Sequence, residues 1–430
     1  MKRLNACQLS LLLISLTAVT GWSKGIFILP GTRDSAMGSA MVAIADNPTA
    51  VYYNPAGLAL QKGSGLEASV FYLQNDAKGS KSYSNSASPV SSNGDFPLAA
   101  YLPSEPAQFQ NKKFKTEALL PFIGGYTKVE DLTFALSVYG IGGGGGKWKD
   151  AVMDSFTGTD KVTASLDASY AFIIYNLSVA KEMTPKLSAG LGIDIVNMID
   201  TLNAQKGYTR GPGSLMPQDY GVTLDQSATG SGIQFDGGVL YKISDKINCG
   251  AVVRSGTMIK LSGKATLNGN ETDYDKDYLY PPTLGAGISY EPSNELTLAF
   301  ALDQNKYSLM HEAERYKTQV GLSNVSQPLN GLNWKDTVQV RLGSEYRLTG
   351  RFALQAGIQT DPVPFATDQL SLSELNQYNF MYYSVGASYK IGSINFDICY
   401  AFCPSDSPSI GDRSYEYPLD VFRFGARYSF

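Results

Sequence analysis

Apolar and polar residues alternate with a period of two along most of the chain after residue 64. In residues 393–403 the apolar side chains share one face, and the opposite face carries Asp397. The same period recurs in residues 337–348 and 419–430. A period of two is typical of a β-strand with one apolar face, whereas an amphipathic helix repeats about every 3.6 residues. The alternation therefore predicts an all-β protein.

The alternating segments form a regular series along the chain. We predict fourteen strands, near residues 64–75, 117–129, 132–141, 161–182, 186–200, 230–243, 246–265, 281–291, 294–309, 335–348, 351–361, 379–391, 393–403 and 419–430. The connections alternate between tight turns, such as Glu130-Asp131, and long joins, such as 142–160 and 266–280. Short turns at one end and long loops at the other are typical of an outer-membrane barrel.

Two architectures can produce this alternation. A soluble sandwich buries its apolar face, whereas a membrane barrel turns its apolar face to lipid and its polar face to the lumen. Membrane strands need about 9–11 residues and globular strands average about 5–6, and the segments here run to about ten. We therefore predict a 14-stranded antiparallel transmembrane β-barrel over residues 63–430. It would cross the outer membrane of a Gram-negative cell many times, with both termini periplasmic because the strand number is even.

Composition supports a lipid-facing protein and narrows its chemistry. Only 17 % of residues are charged, and the chain has 43 glycines and 27 tyrosines. The net charge of −4 argues against nucleic acid as a partner, because such proteins usually present a basic surface. Residues 1–23 have a basic start, the apolar run Leu9 to Val19 and then small residues, which is the order of an export signal peptide.

The cysteines do not predict a disulfide framework or a metal site. Removal of a signal peptide would leave Cys249, Cys399 and Cys403, an odd number. Cys399 and Cys403 are four residues apart on a predicted strand, so their Cα atoms are about 13 Å apart, beyond the limit of about 7 Å. The single histidine, His311, has no second cysteine pair near it, so we expect no metal and no cofactor.

The segment 24–62 precedes the first strand and is too short to fold alone. Its two Asn-Pro pairs, Asn47-Pro48 and Asn54-Pro55, prevent a long helix. Fourteen strands enclose more space than their side chains can fill, because about eight strands already give a filled interior. We therefore predict that residues 24–62 form a hatch inside the lumen. The predicted lumen-facing residues carry both signs of charge, which suits contact with a packed hatch: Asp194, Asp236, Asp303, Arg341, Glu345, Arg347, Lys390, Asp397, Arg423 and Arg427.

Three blocks resemble the long-chain fatty acid transporter (FadL) family of outer-membrane proteins. The first is GSAMVAIADNPTAVYYNPAGLA, in which residues 43–46 and 54–56 match the hatch signature, although Asn47-Pro48 stands where a second acid is common. The second block is residues 333–365, NWKDTVQVRLGSEYRLTGRFALQAGIQTDPVPF. A looser match is residues 281–285. The resemblance implies a fourteen-stranded barrel with an N-terminal hatch and passive uptake of fatty acids or related hydrocarbons.

The resemblance also implies roles for particular residues. The expected ligand-binding residues of the hatch are Ile26, Phe27, Ile28 and Leu29, and packing of these residues against the wall is an equal alternative. The expected hatch and gating residues are Asp46, Asn54, Pro55 and Ala56. For residues 54–56 a stiff turn that holds the hatch in place is favoured over a pivot for gating. Expected polar contacts in the lumen are Arg341, Glu345 and Asp361. Residues 140–146 lie where the family has a kinked strand and a lateral gap, although a flexible loop is favoured from Gly142 onward.

Three classes of function remain open from the sequence. The leading one is a passive channel that captures hydrophobic small molecules at its loops and hatch and releases them laterally into membrane lipid. The alternative is a secretion-associated or structural barrel of the PorV type without an uptake role. An outer-membrane enzyme is not expected, because His311 has no recognisable nucleophile near it. The terminal Phe430 ends an aromatic strand and resembles the signal that the outer-membrane assembly machinery recognises.

Overall fold

The computed structural model describes residues 29–81, 109–154, 161–212, 220–310, 312–317, 325–328, 334–362, 364, 379–404, 409–410, 413–416 and 419–430. The predicted signal peptide, Ile26, Phe27, Ile28 and His311 lie outside these residues. In the described part, no helix has the length and apolar character needed to cross a bilayer.

The described chain is mostly β-strand. The strands are β1 Ser64–Lys81, β2 Phe109–Val129, β3 Leu132–Asp154, β4 Lys161–Thr184, β5 Leu187–Thr209, β6 Tyr220–Ser244, β7 Ile247–Arg254, β8 Thr257–Leu267, β9 Asn270–Tyr280, β10 Thr283–Tyr290, β11 Leu296–Asn305, β12 Glu312–Lys317, β13 Val325–Pro328, β14 Thr337–Arg347, β15 Phe352–Asp361, β16 Phe380–Ile391, β17 Ile394–Cys403, β18 Ser409–Ile410, β19 Arg413–Glu416 and β20 Leu419–Ser429.

The sheet is antiparallel and closes on itself. β1 pairs with β2 on one side and with β20 on the other, so the first and last strands are neighbours. In several places two short strands lie end to end along the same neighbour; β7 and β8, for example, both pair with β6. When each such end-to-end pair is counted as one strand, the sheet is a closed 14-stranded barrel, as the alternation predicts.

The orientation of the strands agrees with a membrane barrel. On β17, Phe396 is 46 % exposed and Asp397 is 2 % exposed. On β14, Leu342 is 47 % exposed and Arg341 is 1 % exposed. Apolar side chains therefore cover the outside, and charged side chains are buried within the lumen. This arrangement is the reverse of a soluble protein, in which apolar side chains face inward. It suits a membrane, because the outward apolar side chains contact lipid and not water.

Several predicted boundaries are wrong. Four strands, β2, β3, β5 and β6, extend eight or more residues beyond the predicted strands 117–129, 132–141, 186–200 and 230–243. Two further differences lie at turns. Residues 266–280 are not a long join, since β8 and β9 form a hairpin around Asn268-Gly269, with φ of 49° and 81°. Asn-Gly is the preferred pair where both turn residues need positive φ. The predicted strand 246–265 is divided into β7 and β8 at Ser255-Gly256.

The glycine-rich run after residue 140 is also different from the expectation. The sequence favours a flexible loop from Gly142 onward, but in the structure this run lies within β3, which extends to Asp154 and pairs with β4. Gly142 has a φ of 60° and lies at a bulge in the β3–β4 register. A glycine tolerates this conformation without the steric cost of a Cβ, so the strand continues through the bulge.

The N-terminal segment, residues 29–62, contains only short helices. These are α1 Thr32–Ala36, α2 Ala50–Tyr53 and a 3-10 helix Pro55–Leu60. Pro48 and Pro55 keep the helices short, since proline disfavours helical backbone in the residue before it. The segment contacts strands around the circumference: α1 contacts β15, β16, β17 and β20, and the 3-10 helix contacts β4, β5 and β6. Nearly all of its residues are buried.

Candidate functional site

Arg33 of α1 joins the N-terminal segment to the barrel wall. Its guanidinium donates to both carboxylate oxygens of Glu345 on β14, with Nε–Oε2 at 2.6 Å and Nη2–Oε1 at 3.1 Å. Its Nη1 lies 2.6 Å from Oδ1 of Asp46. The side chains of Arg33 and Glu345 are each only 5 % exposed. Removing one partner of such a buried pair would leave an uncompensated charge, at a cost of about 3–5 kcal/mol.

Asp34 holds two turns of the N-terminal segment together. Its carboxylate accepts hydrogen bonds from Asn47 Nδ2 at 2.8 Å and from the Thr49 hydroxyl at 2.6 Å. Burial raises the pKa of Asp34 to about 6, and the nearby Arg33 and the Thr49 hydrogen bond only partly oppose this. Asn47 thus serves as a neutral donor to the Asp34 carboxylate. A second acid at this position, which the resemblance leads one to expect, could not donate this hydrogen bond when ionised.

Asn54 caps the 3-10 helix and attaches it to the wall. Its Oδ1 accepts the amide of Ala56 at 3.1 Å, while its Nδ2 donates to the carbonyl oxygens of Val42 at 2.8 Å and Val239 at 3.0 Å. A Cβ built on Gly190 of β5 would lie 2.3 Å from the carbonyl carbon of Pro55. The Asn-Pro-Ala turn therefore packs directly on the backbone of the wall.

Glycines in the wall provide the space for the N-terminal segment. At each of eight lumen-facing glycines, a built Cβ would lie within 3.0 Å of an atom in that segment. These are Gly190, Gly238, Gly250, Gly287, Gly343, Gly357, Gly386 and Gly425. They belong to β5, β6, β7, β10, β14, β15, β16 and β20, so the close approach extends around most of the barrel.

A second polar network lies in the wall beside the segment. Arg341 pairs with Asp303, and its Nη2 donates to Gln339 Oε1 at 2.7 Å. Gln339 Nε2 in turn donates to Asp361 at 2.7 Å. Of the three polar residues expected in the lumen, Arg341 and Asp361 therefore share one network, and Glu345 belongs to the Arg33 contact. Arg341 thus balances the charge of Asp303, and Gln339 links this pair to Asp361.

The barrel wall has a break between β2 and β3. Their ladder runs from Val129↔Leu132 to Phe122↔Tyr139 and resumes only at Lys115↔Lys147. Residues 116–121 and 140–146 form no ladder pairs with each other, and we call this the β2–β3 break. Pro121 cannot donate an amide hydrogen, and the bulge at Gly142 bends β3, so both strands disfavour pairing here.

Aromatic side chains face the β2–β3 break from the lumen. Tyr139 packs edge-on against Tyr52 of the N-terminal segment, with ring centroids 6.2 Å apart, and lies 5.8 Å from Phe122. Tyr52 is held by Arg254, which donates to its carbonyl oxygen and places its guanidinium 4.3 Å from its ring. The Leu120 side chain of β2 reaches across the break to β3: a Cβ built on Gly140 would lie 2.7 Å from Leu120 Cδ2. An apolar cluster thus extends from the lumen to the β2–β3 break.

Of the expected ligand-binding residues, the structure describes Leu29. It is 2 % exposed, and its carbonyl oxygen accepts a hydrogen bond from Arg423 Nη1 at 2.6 Å. Sequence reasoning missed Arg33, Tyr52 and Leu120. Arg33 had a usable signal, since it is the only basic residue between residues 25 and 61 and a lone cation in an apolar segment needs an acid. Tyr52 and Leu120 had no such signal in the sequence, because their roles arise from contacts with residues distant in the chain.

The architecture defines the class of protein: a closed transmembrane β-barrel whose inner-facing residues contact its own N-terminal segment and whose β2–β3 ladder is interrupted beside an apolar cluster. A family model described as outer membrane protein transport protein (OMPP1/FadL/TodX) matches residues 16–423. The chain belongs to this family. No curated protein matches the chain.

Solved structures show the same fold at low sequence identity. A FadL homologue of Pseudomonas aeruginosa has a TM-score of 0.72 and 17 % identity, with 95 % of this chain and all of that chain covered. The toluene transporter TodX of Pseudomonas putida has a TM-score of 0.66 and 16 % identity, with coverage of 93 % and 98 %. The toluene transporter TbuX of Ralstonia pickettii has a TM-score of 0.65 and 18 % identity, with coverage of 93 % and 98 %.

Proposed function

We propose that this protein is an outer-membrane channel for the passive uptake of hydrophobic compounds, namely long-chain fatty acids or related hydrocarbons. The family and the toluene transporters of the same fold support this substrate class. The observation that carries the proposal is the apolar cluster of Tyr52, Phe122 and Tyr139, which ends at the β2–β3 break.

The energetics favour a sideways route through this break. Each CH₂ group exposed to water costs about 0.8 kcal/mol, so a 16-carbon chain in a water-filled pore retains a penalty of roughly 12 kcal/mol. In this proposal the N-terminal segment occupies the lumen and is joined to the wall by buried ion pairs. These pairs would have to separate if a ligand passed straight along the barrel axis. An apolar molecule that turns through the break instead passes from aromatic side chains directly into lipid.

The N-terminal segment serves in this proposal as the hatch, with residues 1–23 as signal peptide, 24–62 as hatch and 63–430 as barrel. Ile26, Phe27, Ile28 and Leu29 line the ligand pocket, and the Asp46 and Asn54-Pro55-Ala56 contacts set how far the hatch moves. The three hydrogen bonds of Asn54 support a mainly stabilising role for that turn. A small movement near Tyr52 then suffices to admit a ligand.

The proposal places both termini in the periplasm. The backbone of Phe430 pairs with that of Ser64 at 2.9 and 3.0 Å, so the last residue completes the barrel seam. Its side chain is 64 % exposed, which leaves it accessible to the assembly machinery. Family membership favours uptake over the PorV-type alternative, and no step of passive transport requires a catalytic residue.

Leu120 provides the direct test of the proposal. Cells that lack their own transporter and express Leu120→Trp should take up tritiated oleate or toluene several-fold more slowly than cells with the wild type, because the indole fills the break. The matched control is Leu119→Trp, since Leu119 is 67 % exposed on the lipid side. Both variants should show the heat-modifiable gel mobility of a folded barrel. Equal uptake by the two folded variants, or no uptake by the wild type, contradicts the proposal.

A further inference from the structure

A shallow groove lies on the lipid-facing surface of the barrel, and we call it the outer groove. It has a volume of about 750 Å³ and is lined mainly by β1, β2, β3 and β20. Its rim carries Leu66, Ile123 and Leu136, which are 56, 63 and 65 % exposed. Its floor includes the small residues Ala68 and Ala426, which face each other across the β1–β20 ladder. The surface is therefore apolar and recessed.

The outer groove begins where the β2–β3 break ends. Pro121 and Gly140 border the break, and the outward-facing residues two positions further along are Ile123 on β2 and Val138 on β3. Ile123 and Val138 are cross-strand partners and both line the groove. The groove then continues towards the tight turn at Glu130-Asp131. The groove thus begins one ladder pair from the break and lies entirely on the turn side of it.

We infer that the outer groove receives the transported apolar molecule as it leaves the β2–β3 break and directs it along the outside of the wall towards the periplasmic leaflet. This inference rests on the proposed function, which supplies the lateral exit and the periplasmic position of the turns. The groove volume lies within the range of about 300–1,000 Å³ that is typical of small-molecule sites. The lining also includes Glu67 and Arg427, but Glu67 is 3 % exposed and Arg427 is paired with the buried Asp397. The exposed surface of the groove is therefore mainly apolar, which suits the hydrocarbon part of a ligand.

A second recess on the outer surface provides a control that distinguishes binding of a departing ligand from ordinary contact with lipid. This control groove has a volume of about 580 Å³ and includes Ala189 and Ala251. Both alanines are cross-strand neighbours of Val239, and the β5–β6 and β6–β7 ladders are paired beside them. The control groove therefore has similar size and polarity but no opening into the lumen. Lipid chains would occupy both recesses equally, whereas a departing ligand would reach only the outer groove.

Filling each recess tests the inference. The double variant Ala68→Phe with Ala426→Phe fills the outer groove, and Ala189→Phe with Ala251→Phe fills the control groove. Aromatic residues are common on the lipid face of barrels, so both should fold. We expect the first pair to slow the uptake of tritiated oleate or toluene several-fold and the second to leave it unchanged. Unchanged uptake in a folded outer-groove variant overturns the inference and leaves the proposed function intact, whereas absent wild-type uptake removes both.

Photolabelling provides a measurement that does not depend on the filled variants folding. Diazirine-labelled oleate is added outside wild-type vesicles, and labelled peptides are quantified by mass spectrometry. The inference predicts several-fold more label at Ile123 and Leu136 than at Leu191 and Val253 of the control groove, and loss of that excess in Leu120→Trp. Equal labelling of the two grooves identifies annular lipid as the occupant. That result overturns the inference, as does an excess that persists in Leu120→Trp.

Discussion

Two adjacent charged residues at the start of the described chain hold the N-terminal segment in different ways. Arg33 reaches outward to Glu345 in the wall, whereas Asp34 turns inward to Asn47 and Thr49. The first contact fixes the segment in the barrel, and the second fixes its internal shape. Since both side chains are buried, neither can lose its partners without a desolvation penalty.

The raised pKa of Asp34 makes the segment sensitive to pH. Its folded pKa of about 6 exceeds its ordinary value of 3.8, mainly because burial penalises the charged form. The folded segment thus binds the proton more tightly, so its stability is greatest below about pH 4 and declines as the pH rises to about 6. Isotope-edited NMR of the Asp34 carboxyl should show a midpoint near pH 6.

Amide exchange of α1 and α2 supplies the control for this prediction. In the wild type, protection should decrease between about pH 4 and pH 6 after correction for intrinsic exchange. The variant Asp34→Asn cannot titrate, so its protection should be flat over the same range. A wild-type carboxyl that titrates near its ordinary pKa, or identical profiles for the two proteins, would contradict the prediction.

At the scale of the element, sequence patterns predict the strands but not their interruptions. Strand orientation follows from alternation, because lipid selects apolar residues at every second position, as Phe396 and Asp397 show. The Arg33–Glu345 contact spans 312 residues of sequence, so no local pattern reveals it. The glycine-rich part of β3 has the composition of a loop, because glycine is common in loops, but here glycine permits a bulge within a paired strand. The β2–β3 break lies where that bulge faces Pro121 on the neighbouring strand.

The bulge predicts a specific effect of Gly142→Ala. A Cβ at a φ of 60° is disfavoured by roughly 1–2 kcal/mol, so β3 should straighten and extend its pairing with β2. Uptake of oleate or toluene should fall, and amides of residues 140–146 should exchange more slowly. Gly237→Ala is the matched control, because Gly237 is a strand glycine on the outer face whose nearest contact for a Cβ is 3.3 Å away. Faster exchange of the β3 amides in Gly142→Ala would show that the bulge does not limit pairing.

At the scale of the whole molecule, the inner surface of the wall and the N-terminal segment are complementary in shape and in hydrogen bonding. Glycines on eight strands admit its backbone, and Glu345, Ser384 and Arg423 bind it through side chains. These contacts therefore hold the segment in place, apart from the small movement near Tyr52 that the proposed route requires. A ligand route that leaves these contacts intact has to pass beside the segment and out through the wall, which is where the β2–β3 break lies.

Displacing the segment should convert the closed barrel into an open pore. A Cβ on Gly357 would lie 1.9 Å from the backbone nitrogen of Gly38, so Gly357→Leu should expel this part of the segment while the strands still pair. In planar bilayers the wild type should show no steady conductance, and Gly357→Leu should show large, persistent openings, because a 14-stranded wall encloses more space than its side chains fill. Gly237→Leu, on the outer face, should stay closed. A closed but correctly folded Gly357→Leu barrel would mean that the segment can shift within the lumen, and the fixed-plug argument for a lateral route would then fail.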